Sequence, residues 1–109
     1  MTNELLLKLA EKKDVTEGLA NLIAIKFDRL PISVQNILFK FANKKHAVWE
    51  VAWAIVINFN KLPKNVQNLL FELSDREYAA GAVLWAVAIK FYDLPENVQN
   101  LLYKTSIQR

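Results

Sequence analysis

Few side chains in this chain could do chemistry. His46 is the only histidine, and Glu50 follows it one helical turn later, a spacing that suits proton transfer or a pair of metal ligands. No third partner is in sight. The chain has no cysteine, no HExxH or paired-histidine spacing and no GxSxG elbow, and its two glycines make no phosphate-cradling loop. A solvated histidine at a helix start is the preferred account, so the residues predict no enzyme, no metal and no cofactor. More prominent are Trp49, Trp53 and Trp85, set at helical spacing in an apolar context. Large amphipathic rings of this kind supply much of the energy at protein interfaces.

The elements that must position these residues recur. LPISVQNILFKF, LPKNVQNLLFEL and LPENVQNLLYKT begin at Leu30, Leu62 and Leu94, a period of 32 residues, which marks a repeat architecture. Phe27, Phe59 and Phe91, then Pro31, Pro63 and Pro95, then Ile25, Ile57 and Ile89 are identical in the same register, without a gap. The helix after each proline, type A, is expected over about 31–43, 63–74 and 95–106, with half a copy over about 2–11. Proline suits a first helical turn because its missing N–H has no partner there anyway. Val34, Ile37, Leu38 and Phe41 then follow i, i+3, i+4, i+7 spacing and make one buried stripe. A second type, B, is expected over about 14–28, 46–60 and 76–92, the first with Asp14 and Glu17 at the positive end of its dipole. The links from B to A are too short for anything but near-antiparallel neighbours. The prediction is an all-α chain: an α-solenoid of three and a half helical-hairpin repeats with a 32-residue period, seven helices in one domain over residues 1–109.

With these residues in place, the chain resembles the HEAT-like and armadillo-like class of helical repeats. The LPENVQNLL wording at Leu94–Leu102 is similar to repeats of archaeal proteins, including regulatory regions of STAND-type NTPases. The resemblance covers the whole chain and implies a stacked helical fold. It carries no functional residue, since the tetratricopeptide pattern and any nucleotide-binding motif are missing. Armadillo-like proteins display Trp and Asn from stacked helices to hold extended peptides, which makes a protein or peptide partner the expectation.

Helix type B is apolar all round. Its second apolar face has two accounts: neighbouring helices cover it, or a partner does. In a two-layer stack most of a B helix is covered by its neighbours, and the identical Ile25, Ile57 and Ile89 are assigned to the seam between B helices. The Trp line differs, because the equivalent positions run Glu17 and Asn21, then Trp49 and Trp53, then Gly81 and Trp85, continuing one turn on to Asp28, Asn60 and Tyr92. A shared core does not exchange Trp for Glu and Asn. A ridge grading from polar to aromatic, with a notch at Gly81, has the look of a recognition surface, and its candidate residues are Trp49, Trp53, Trp85, Tyr92, Asn21 and Asn60. Gln35, Gln67 and Gln99 could form a binding stripe, but the preferred expectation is a buried or half-buried Gln in each repeat that bonds the backbone of the neighbouring turn and fixes the stacking register. Asn36, Asn68 and Asn100 beside them are expected to face water.

Basic residues near the A-to-B turns form an alternative site. Lys12, Lys13, Lys40, Lys44, Lys45 and Arg76 would line one edge of a stack and could track a phosphate backbone or an acidic partner. Cations at the negative ends of helices are the plainer explanation, and the net charge of +3 needs no nucleic acid to account for it. Absence of cysteine fits a reducing, cytoplasmic setting. The N-terminal stretch lacks a basic leader and a small-residue cleavage site, and the apolar runs fall short of a membrane span, so neither a secretory signal nor a membrane partner is expected. Leu5, Leu6, Leu7 and Leu9 make the N-terminal end more apolar than the other end, where Thr105 and Ser106 stand, and self-association through that end or through the Trp ridge is expected. The reading is a non-catalytic scaffold for protein interaction or self-assembly, or else a piece of a longer array.

Overall fold

What shapes this fold is how each apolar B helix ends. A computed structural model describes residues 3–9 and 16–108; Lys12, Lys13 and Asp14 lie outside the described residues, as do the side chains of Leu6, Leu9, Glu17, Thr105 and Ser106. The helices are α1 (Asn3–Leu9), α2 (Thr16–Ile25), α3 (Ile32–Ala42), α4 (Val48–Ile57), α5 (Lys64–Ser74), α6 (Glu77–Ile89) and α7 (Glu96–Gln108). Among the described residues there is no strand, and no helix is long and apolar enough to cross a membrane.

The B helices stop sooner than the sequence pattern suggests. Instead of running on to residues 28, 60 and 92, α2, α4 and α6 end at Ile25, Ile57 and Ile89, and one turn of 3-10 helix follows at Phe27–Arg29, Phe59–Lys61 and Phe91–Asp93. The cause lies just ahead in the chain. A residue before proline is pushed out of the helical region by the pyrrolidine ring, and Leu30, Leu62 and Leu94 are all extended, with ψ of 148°, 148° and 150°. The tighter 3-10 turn carries the chain from helix to extended residue in a single step. Pro31 and Pro63 then act as N-caps with φ of −66° and −68°, and the Pro31 carbonyl accepts the N–H groups of both Val34 and Gln35 at 3.0 Å.

Each corner is fastened by one glutamine. The Nε2 groups of Gln35, Gln67 and Gln99 donate to the carbonyls of Phe27, Phe59 and Phe91, each at 2.7 Å. The bond spans eight residues within one corner, so it braces the turn between a B helix and its own A helix rather than the register between successive pairs. That corrects the expected stacking role: the 3-10 turn presents a carbonyl locally that a half-buried Gln must satisfy. Asn36, Asn68 and Asn100 are exposed.

Packing forms two layers. α4 lies between α2 and α6 and also packs on α3 and α5, while α1 meets α3 and α5 meets α7. The layer of α2, α4 and α6 is therefore covered on one side by the A helices. The helices that meet at its seam bury small and β-branched side chains, among them Ala20, Val51, Ala52, Ile55, Ala82 and Val83, all with no accessible surface. Alanines let helix axes approach closely, and close approach maximises dispersion contacts. The assignment of Ile25, Ile57 and Ile89 to this seam is overturned: they are 59%, 39% and 53% exposed. Each sits in the last turn before the break, on the side of the layer that no A helix covers.

Candidate aromatic site on the uncovered layer face

The uncovered side of α2, α4 and α6 carries the tryptophans. Trp49 and Trp53 stand one turn apart on α4, and Trp85 reaches them from α6. The Trp85 ring lies 5.5 Å from that of Trp49 in an edge-to-face arrangement and 5.3 Å from that of Trp53, tilted by 46°. Both separations fall within the range where aromatic pairs attract beyond their area burial. Trp49 and Trp85 keep 45% and 43% of their surface in solvent, and Trp53 is half-buried between its neighbours. Shared core packing and surface display thus coexist in one cluster.

Between the rings is a small cleft of about 160 Å³, lined by Trp49, Glu50, Trp53 and Trp85. Glu50 was legible in the sequence only as a companion of His46. The structure separates the two roles: His46 is exposed in the turn before α4, whereas Glu50 is half-buried in the aromatic cleft. The signal for this was its spacing, because Glu50 precedes Trp53 by three residues and i, i+3 side chains are neighbours on a helix. Its Oε2 is shut off from solvent and has no hydrogen-bond partner among the described residues. Trp53 meets a cation of the chain itself, the Lys90 ammonium, 5.9 Å from the ring centroid.

No match was found among known family models, curated proteins or solved structures. The site is accordingly read from its own geometry.

Other predicted ridge residues are dispersed. Asn21 is half-buried on α2, and its Oδ1 is likewise closed to solvent without a partner among the described residues. Asn60 is exposed on a 3-10 turn, and Tyr92, 94% exposed on the next, stands edge-to-face with Phe91 at a centroid separation of 5.5 Å. Neither continues the helix line as expected, because the helices have ended before them. The ridge is instead continued by Ile25, Ile57 and Ile89, the residues assigned to the seam.

The basic edge is divided in structure. Lys40, Lys44 and Lys45 are exposed, and the Lys44 ammonium sits 5.9 Å from the Phe41 ring centroid. Arg76 is half-buried and committed elsewhere: its Nη1 donates to Asn43 Oδ1 at 2.8 Å and to Tyr78 Oη at 3.1 Å. Tyr78 Oη in turn donates to the Ala42 carbonyl at 2.8 Å, so this group ties the start of α6 to the end of α3. Lys104 is paired with Asp75 at 3.0 Å.

Proposed function

We propose that the protein is a non-catalytic helical-repeat scaffold, an α-solenoid of three and a half hairpins and seven helices that binds protein through the uncovered face of α2, α4 and α6. The recurrence of the same corner three times, with the same glutamine bond and the same extended residue before proline, supports the stack. The observation that carries the function is the grouping of Trp49, Trp85, Ile57 and Ile89, all exposed, on one side of one layer. A folded chain gains by burying such side chains, at roughly 25 cal/mol per Å² of apolar surface, and contiguous exposed apolar area marks interaction sites. The occupant is another protein chain, either a second copy or a different partner.

The test is light scattering after size-exclusion chromatography at several concentrations, with chemical cross-linking of the same samples. Wild type is compared with Ile57→Glu and Trp85→Glu, both at exposed positions, with far-UV circular dichroism to check each variant's fold. Loss of assembled mass or of a cross-linked partner in these variants is the expected result. Identical mass and identical cross-linked products in all three proteins would falsify the proposal.

A further inference from the structure

From the Trp49, Glu50, Trp53 and Trp85 cleft we infer that this face takes a methylated ammonium group, the side-chain end of a dimethyl-lysine on the partner protein. The inference rests on the protein-binding reading and adds the chemistry of the contact. Three indole rings, in contact through Trp85, and one carboxylate line the same cleft. Indole faces carry negative potential and attract cations more strongly than any other side-chain ring. The Glu50 carboxylate lines the same cleft, and its Oε2 has no hydrogen-bond partner among the described residues. An acceptor left in that state is costly, and turning the carboxylate toward an N–H-bearing cation in the cleft relieves the cost.

Size and donor count select among cations. A cleft of about 160 Å³ is well below the roughly 300–1,000 Å³ of pockets for whole small molecules, so it admits the tip of a side chain. A guanidinium brings five donors and an unmodified ammonium three, yet the cleft offers one carboxylate among rings that accept only weakly. Dimethylation leaves one N–H for that carboxylate and turns methyl groups toward the indoles. Lys90 on Trp53 shows the ring already engaged by a positive charge.

The test uses the intact chain, with Nα-acetyl-Nε,Nε-dimethyllysine amide as probe. Controls are its unmethylated counterpart and a neutral isostere with carbon in place of the ammonium nitrogen. Indole N–H resonances and tryptophan fluorescence report binding, and far-UV circular dichroism checks each variant's fold. The dimethylated probe is expected to shift the three indoles and to bind about fivefold tighter than either control. Glu50→Gln, which keeps the shape, should remove that preference, as should Trp85→Phe in part. Equal affinity for the neutral isostere, an unchanged preference in Glu50→Gln, or no indole shift with any probe would overturn the cation site. Those outcomes leave the protein-binding proposal standing if Trp85→Glu still changes mass or cross-linked partners, so the two fail on separate readouts.

Discussion

The glutamine brace is the residue whose removal should be felt most for its size. Truncating Gln67 to Ala strips the donor from the Phe59 carbonyl and leaves a half-buried acceptor with a weaker partner, a loss of about 1–2 kcal/mol. Asn68→Ala, one position on and exposed, should stay within about 0.5 kcal/mol. Urea denaturation of both variants reads the difference directly. A second pair tests the placement of the isoleucines. Ile55 is fully buried in the core and Ile57 is exposed, so Ile55→Ala should cost about 2–5 kcal/mol, while Ile57→Ala should fall within about 1 kcal/mol. Equal losses would return Ile57 to the seam. Glu50 makes the same point about surroundings: its unpartnered oxygen acquires meaning only from the rings placed around it.

At the scale of the helix, α4 explains both what could be read in advance and what could not. A helix apolar on every side gives its hydrophobic pattern no phase, so the pattern marks a helix without telling which side faces out. Ile57 therefore reads as a seam residue in the pattern, although α4 ends at it and Phe59 lies in the 3-10 turn that follows. Pro31 and Pro63 and the residues before them were the better guides, since their backbone restrictions hold in any surroundings. The seam also left a trace in composition: Ala52, Ala54, Ala82 and Ala86 mark where helices come close, more reliably than the identical isoleucines did. At the junction of α3 and α6, Tyr78→Phe removes the bond to the Ala42 carbonyl and a neighbour of Arg76. Its expected cost is about 1 kcal/mol, and amide hydrogen exchange should show faster exchange confined to the start of α6.

Across the whole molecule one continuous core joins the layers, from Leu19 on α2 to Leu101 on α7. Phe41→Ala in α3, a fully enclosed site, should cost about 3–5 kcal/mol. It should also lower the unfolding midpoint seen by the tryptophans of α4 and α6, which a locally melting α3 would leave unmoved. The Lys104–Asp75 pair lies open to solvent on both sides, so neutralising Asp75 as Asn should change stability by no more than about 1 kcal/mol. The arrangement of the corners reaches beyond stability. Each brace from Gln to Phe carbonyl starts and finishes inside a single 32-residue copy. When a coding segment of that length is duplicated, the new copy arrives with its own fastener already in place and asks nothing of the flanking copies. Positions outside the corner carry no such bond, and one of them holds Glu17, Trp49 and Gly81 in three otherwise similar passages.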